Sequence, residues 1–343
     1  MPTLNGKFYT REEFLRYTGN FANFAGITPL TLDGGSARGG RALLLRTGGG
    51  LEATILPDRC LDLLSLRYRG VNLSQMAKNG LTSPASGVPV PGAFDAAVEG
   101  GMLFTAGLLN IGPESTDEGR YHAPHGRIGL AAAEQLTAEG EWEGDEYLFR
   151  IRGVMRESRL FGENLTLTRT WTTRLGSNRL ELCDRVENLS PEAVDWCLLY
   201  HCNLGFPFLS PELKLIFPQN TVTPRTPEAA AGLAEAEVVT APQDGFFEHV
   251  FIRAMTADAD GKVTVRAENP ALGVGLALAY EQEHLPCFLQ WKSMRSGDYA
   301  LGLEPATSLL RGRAGERAAG ALPRLAPFGS VTLRLAFEAD SLA

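Results

Sequence analysis

The sequence predicts an all-β protein, a large antiparallel β-sandwich with few short helices, and three observations predict it. Strand-length runs recur from about residue 27 to 337, several of them alternate apolar with polar residues, and 38 glycines and 20 prolines are spread along all 343 positions. Alternation at period two, bounded by turn formers, marks half-buried antiparallel strands. An even scatter of Gly and Pro implies many short elements, because each residue type punctuates strands and helices.

In chain order, residues 10–18 (TREEFLRYT) open with a Thr-x-x-Glu cap and predict a short helix inside an N-terminal extension, residues 1–26. Strands follow at 51–57, 62–69, 147–153, 165–171 and 179–187, the last with Leu180, Leu182 and Val186 on one parity. Residues 226–236 predict a second helix, because Pro227 suits a first turn. Strands resume at 262–267, 273–280 and 331–337, where Val331, Leu333, Leu335 and Phe337 share a face. Turn signals at 175–178 (LGSN), 187–190 (ENLS) and 258–261 (DADG) separate these runs. Length alone allows two domains. Neither a repeat nor a composition break divides the chain, so a single domain over 1–343 is expected. The longest irregular stretch, 78–100, reads either as a binding loop or as a plain surface excursion.

Composition narrows the function. With 44% hydrophobic and 21% charged residues the chain can bury a large core, which excludes disorder and fibre. Its net charge of −8, from 32 basic and 40 acidic residues, offers no basic stripe for phosphates, so nucleic acid is not an expected partner. No apolar run reaches the ~18 residues of a spanning helix, and MPTLNGKFYTREEFLRY lacks the build of a signal peptide. A cytoplasmic protein with no membrane partner is therefore expected. Cys60, Cys183, Cys197, Cys202 and Cys287 are odd in number and show no CxxC spacing, so buried free thiols are predicted.

Four segments concentrate groups capable of chemistry. His122-Ala-Pro-His125-Gly126-Arg127 brings two imidazoles and a guanidinium beside a glycine, fit to grip hydroxyls or an anion; the plainer alternative is a surface loop with incidental histidines. In Leu198–Phe208, His201 and Asn203 interrupt an apolar run on one strand parity and so project from one face, either as a polar island in a pocket or as satisfied core groups. Phe246-Phe247-Glu248-His249 embeds a carboxylate and an imidazole in aromatics, a ligand for hydroxyls or a rim ion pair. The fourth runs from Phe288 to Thr307 and contains Trp291, Lys292 and Glu304. Glu304 is expected to end a strand, with Pro305 stopping the pairing; desolvation there would suit it to base work, whereas exposure would leave it inert.

The order of these segments resembles the aldose 1-epimerase (galactose mutarotase) superfamily, whose fold is a large antiparallel β-sandwich. His125-Gly126 stands for its first histidine motif and His201 with Asn203 for the histidine strand. Glu248-His249-Val250-Phe251 stands for Asp-His-x-Phe, and Leu303-Glu304-Pro305 for the C-terminal glutamate. The likeness runs from about residue 50 to the end. Pro57-Asp58-Arg59-Cys60-Leu61-Asp62 and Trp291-Lys292 look more like a DUF4432-like branch than like true galactose mutarotases. The chain departs from the superfamily in having His-Cys-Asn at 201–203, Glu248 in place of Asp, and Asn110-Ile111-Gly112 where an Asn-Arg-Ile segment is usual.

That resemblance implies an isomerase of carbohydrate metabolism that interconverts the α and β anomers of a sugar by acid/base ring opening. One group removes the proton of the anomeric hydroxyl while another protonates the ring oxygen, which a carboxylate and an imidazolium at opposite sides of the sugar do without metal or cofactor. By the resemblance Glu304 is the base, His201 the acid, and His125 holds the ring-oxygen side or a neighbouring hydroxyl. Arg59, Asn110, Arg127, Asn203, Glu248, Trp291 and Lys292 are the expected substrate contacts, with Arg59 or Arg127 in the cationic role. A small-molecule sugar is the expected partner, and a homodimer is compatible with this reading. Two alternatives stand beside it: a non-catalytic sugar-binding or regulatory protein on the same fold, and a metal-dependent sugar isomerase built on His122, His125, His201 and Glu248, for which familiar ligand spacing is absent. The arginines of residues 311–317 (RGRAGER) read as an anion site or as a solvated loop.

Overall fold

The computed structural model describes residues 2–4, 6–82 and 94–342. Three antiparallel sheets carry the architecture. Eight strands form the largest, in the order Glu134–Glu143, Glu146–Ser158, Asn164–Arg174, Arg179–Asn188, Ser330–Ser341, Val274–Glu281, Lys262–Asn269 and Lys214–Ile216. Six form the second: Asn220–Pro224, His249–Met255, Cys287–Arg295, Asp298–Ala306, Cys197–Leu204 and Phe104–Leu108. The third has five, Gly26–Thr31, Arg41–Arg46, Leu51–Leu56, Asp62–Tyr68 and Val71–Asn72. Each run expected to be a strand coincides with one of these elements to within a residue at the ends, or lies inside it. The all-β sandwich read from the alternation is thus the observed fold class.

Both expected helices form. Helix Arg11–Tyr17 starts at a reciprocal cap between Thr10 and Glu13, and its Phe14 packs on Phe21, Phe24 and Trp142. Helix Pro227–Ala231 has Pro227 in its first turn and Thr226 as cap. All five cysteines are free, with Cys60, Cys197 and Cys202 buried and Cys183 and Cys287 half-buried. No helix of the described residues is long and apolar enough to cross a membrane. One part of the fourth segment differs from expectation. The strand carrying Glu304 does not end there but continues to Ala306, with Pro305 in register opposite Phe288. Pro305 instead breaks the ladder on its other side. Strand Cys197–Leu204 pairs Leu199 with Ala306 and Cys202 with Leu303, and the two positions between them are unpaired, as a residue without N–H requires.

The main core draws on all three sheets, for example Leu45 and Ile55, Leu167 and Leu335, and Leu198 and Leu303. At its centre lies a fully buried arginine. Arg169 donates to both oxygens of Asp184, to Asp62, to Thr105 Oγ1 at 2.8 Å and to the Cys60 carbonyl at 3.1 Å. Tyr200 adds a bond to Asp184 at 2.8 Å. Arg169 and Asp184 belong to the eight-stranded sheet, Asp62 to the five-stranded one, and Thr105 and Tyr200 to the six-stranded one. A single guanidinium therefore bonds to all three sheets. Burial pushes the Asp62 carboxyl up to about 6 against the pull of Arg169.

The Pro57–Asp62 motif supplies much of this cluster. Cys60 and Leu61 both take positive φ, 52° and 55°, which turns their carbonyls onto Arg169 and the Trp171 indole. Removing the cation would leave two buried carboxylates unpaired, a loss of about 3–5 kcal/mol. Arg169→Met should therefore lower stability by that amount in urea denaturation. A change below about 1 kcal/mol, the worth of an exposed pair, would show that the cluster does not hold the sheets together.

Candidate active site

The outer face of the six-stranded sheet forms the floor of a cavity of about 560 Å³. Register builds it. One row across the sheet runs Val250, Trp291, Gly302, Asn203; the next runs Ile252, Leu289, Glu304, and, beyond the break made by Pro305, His201 and Phe104. Cross-strand neighbours point to the same side. Carrying the ladder register through the gap puts His201 opposite Glu304, and His201 Nε2 lies 3.2 Å from Glu304 Oε1. Tyr200 and Cys202, of the other parity, point into the main core.

His125 enters from above on a loop. It adopts φ 54°, its N–H donates to the Gly112 carbonyl, and its carbonyl accepts from Gly107. The next residue, Gly126, lies so close to Gly107 that a Cβ there would meet the Gly107 carbonyl oxygen at 2.2 Å. That close approach is the physical reason for a His-Gly pair. The His125 ring stacks on Phe94, centroids 5.2 Å apart, and stands edge-on to His201 at 5.9 Å. Gly302 matters in the same way, since a Cβ there would sit 2.5 Å from Glu304 Oε1. The missing side chain leaves the carboxylate its place.

Desolvation sets the electrostatics. Burial pushes the Glu304 carboxyl well above the usual carboxylate range, helped by the Glu248 charge and opposed by Arg225. The same burial lowers His201 to about 3, with His125 adding to the effect and a hydrogen bond with Asn203 opposing it. His125 falls to about 4 for want of solvent and through the Arg225 charge. The His201 Nε2 approach is not aligned as a hydrogen bond, so Glu304 Oε1, like the Nδ1 atoms of His125 and His201, is buried without a hydrogen-bond partner among the described residues. Such atoms in one cavity call for a polar ligand.

Of the other residues expected to contact substrate, Asn203, Glu248 and Trp291 line the cavity. Asn203 is held by the carbonyls of Gly101 and His201, and the Trp291 indole donates to Glu248 Oε2 at 2.6 Å. Four lie elsewhere. Arg59 is buried outside the cavity lining, 3.7 Å from Glu99 and bonded to Thr82. Asn110 is fully buried and ties together the Pro113 and Ala123 carbonyls and the Arg313 N–H, so it braces the loop that carries His125. Arg127 pairs with Glu157 at 3.0 Å and faces a separate hollow shared with His122. Lys292, of the parity opposite to Trp291, donates to the Glu235 carbonyl on the far face of the sheet.

His122 is thus parted from His125, contrary to the arrangement a metal site would need, and among the described residues no group of three His, Cys, Asp or Glu could hold a metal ion. In the 311–317 segment, Arg311, Arg313 and Arg317 are taken up by Glu316, Asp117 and Asp195. Part of the 78–100 stretch, residues 83–93, lies outside the described residues; on its flanks Lys78, Asn79, Phe94, Asp95 and Val98 line the cavity. Sequence reasoning missed Arg225, a cation that lines the cavity. It follows the edge strand Asn220–Pro224, and its only signal was its place between Pro224 and Pro227.

Over residues 37–339 the sequence matches the model of a domain of unknown function, DUF4432. No curated protein matches it. Among solved structures, a protein from Klebsiella pneumoniae subsp. pneumoniae named "putative aldose 1-epimerase" is 24% identical, with a TM-score of 0.86 over 91% of this chain and 83% of that one. A galactose mutarotase-like protein from Clostridium acetobutylicum is 15% identical, with a TM-score of 0.65 over 93% and 100% of the two chains. A galactose 1-epimerase from Lactobacillus acidophilus NCFM is 11% identical, with a TM-score of 0.57 over 93% and 100%. The departures seen in the motifs agree with these low identities. With the family model spanning most of its length, the chain belongs to the DUF4432 family, and it carries the galactose mutarotase-like β-sandwich fold.

Proposed function

We propose that the protein interconverts the anomers of a sugar by acid/base ring opening, in the cytoplasm, where free thiols persist. The observation that supports this most is the contact between His201 and Glu304, a buried imidazole and a buried carboxyl 3.2 Å apart on one cavity floor. Sequence reasoning set the acid and base at opposite sides of the sugar; side by side they suit the chemistry better. The two oxygens that must exchange protons, the anomeric hydroxyl and the ring oxygen, are bonded to the same carbon. They lie closer together than a hydrogen bond is long, so an adjacent pair reaches both.

In the forward step the Glu304 carboxylate takes the proton of the anomeric hydroxyl. The bond from the anomeric carbon to the ring oxygen breaks as the carbonyl forms, and the His201 imidazolium gives its proton to the ring oxygen. The open-chain aldehyde then faces a protonated Glu304 and a neutral His201. Rotation about the bond between carbons 1 and 2 and reclosure on the other face return both protons. Burial by itself favours the neutral pair, which is the state that accompanies the open chain. Sugar hydroxyls donating to the carboxylate favour the charged pair, which is the state that begins the cycle. His125 lies against the same pair and is placed to hold a neighbouring hydroxyl, while Trp291 and Asn203 position the ring.

Glu304→Gln should lower anomer exchange, followed by NMR on sugars the wild type accepts, by at least about a hundredfold while leaving sugar binding measurable by calorimetry. His201→Asn should act alike. Near-wild-type exchange in Glu304→Gln would remove it as the base. Binding by the wild type with no exchange would favour the regulatory, non-catalytic reading.

The pH profile follows from the pair carrying one proton between them. A second proton is resisted because His201 is held down to about 3, so the acid limb of the rate should lie far below 6.5. The alkaline limb should appear where the raised Glu304 carboxyl loses the shared proton. An acid limb near 6.5 in exchange rates measured across pH would mean that His201 titrates as a solvated imidazole and would remove this account.

A further inference from the structure

We infer that the sugar taken by this cavity carries an anionic substituent, and that Arg225 is the residue that selects it. This rests on the reading of the cavity as a sugar site. Its volume, about 560 Å³, falls within the roughly 300–1,000 Å³ of small-ligand sites.

The two cations of the lining differ in state. Lys78 is at the rim and is paired with Asp298 at 2.8 Å. Arg225 donates one N–H of Nη2 to the Leu310 carbonyl at 2.7 Å, and among the described residues no carboxylate lies within ion-pair distance of it. Elsewhere the arginines around the site are matched: Arg59 with Glu99, Arg127 with Glu157, Arg311 with Glu316. A guanidinium with unused N–H groups in a cleft is suited to a planar oxyanion, which it grips through two parallel bonds.

Arg225 is also built into place. Its backbone N–H donates to the Val250 carbonyl, extending the edge of the cavity sheet, and Thr226 immediately caps the next helix. The Leu310 bond fixes the outer end of the side chain. Arg225 lines the same cavity as Glu304 and His125, and its charge acts on both. Asp95 and Glu248 also line the cavity and oppose negative charge near them, so the anion has to be held directly against the guanidinium. An anion bound there would neutralise the positive charge that holds Glu304 down, making the bound carboxylate a stronger base.

The shared chemistry is an oxyanion carried by the sugar, and a uronic acid or a 6-phosphate would supply it. Calorimetry of the full chain with glucuronate, galacturonate, glucose 6-phosphate, glucose and galactose separates these, with anomer exchange followed by NMR on the same samples. The wild type should bind one of the charged sugars roughly ten- to a hundredfold tighter than its neutral parent, as a charge-assisted bond does over a neutral one. Which charged sugar wins tells carboxylate from phosphate. The preference should vanish in Arg225→Gln, persist in weakened form in Arg225→Lys, and shrink with added salt. Equal affinity for charged and neutral sugars, a preference that survives Arg225→Gln, or no binding of any of the five would overturn the inference. A charged-sugar preference that depends on Arg225, with no anomer exchange, would uphold the anion anchor and dismiss the mutarotase reading.

Discussion

The structure depends on one buried charge. Arg169 has no exposure at all, and its bonds reach strands of all three sheets. An ion cluster of this kind adds little net stability over a well-packed apolar core, because desolvation offsets most of the attraction. What it does impose is geometry. Five bonds to fixed partners admit few relative placements of the sheets, whereas apolar contacts alone tolerate sliding. Tyr200 shows how that geometry reaches the site. Its hydroxyl is fixed on Asp184, and the next residue on the same strand, pointing the other way, is His201. The acid/base pair is thus held from behind by a network that it never touches.

Local breaks in regular pairing then create the cavity's chemistry. An unbroken ladder between Cys197–Leu204 and Asp298–Ala306 would bring backbone groups at Tyr200 and Pro305 into mutual bonds. The proline forbids one of them, and the gap falls beside His201 and Glu304. At Gly302 the sheet gives up a side chain to leave Glu304 its room, and at Gly126 the loop gives one up to seat His125 against Gly107. Each of these positions weakens a strand or a turn by ordinary propensity. Their clustering around one pair of titratable groups is the pattern expected where local regularity yields to a site.

Much of this was legible in the sequence. Strand alternation depends on burial of one face only, as in Lys262–Asn269, where every second residue is buried, so the period-two runs located their strands. Parity placed His201 and Asn203 together correctly, and the same rule separates Trp291 from Lys292, which sequence reasoning had grouped as neighbours. Charged residues were less legible, for a physical reason. An arginine in a motif is visible as a type, but its partner is set by tertiary contact. Arg59, Arg127, Arg313 and Arg317 each meet a carboxylate from a distant segment, as Glu99, Glu157 and Asp117 show, and so belong to the scaffold. Asn110 likewise braces three backbone groups that only the fold brings together. Arg225 was invisible because it sits in no apolar run and in none of the four polar segments; only its lack of a carboxylate partner distinguishes it.

That contrast bears on how the site divides its work. A proton-transfer pair needs desolvation, since solvation would restore both groups to their ordinary ranges and leave neither poised for the other's proton. Desolvation in turn requires that any full charge in the cavity be matched, by the protein or by the ligand. Glu248 is engaged by the Trp291 indole and Lys78 by Asp298. Glu304 and His201 can satisfy each other by exchanging a proton. Arg225 has no such exchange open to it, because a guanidinium does not lose its proton. Among the described residues that line the cavity it is the cation whose charge only the ligand can answer, so the same dryness that makes the acid/base pair workable also makes Arg225 a selector.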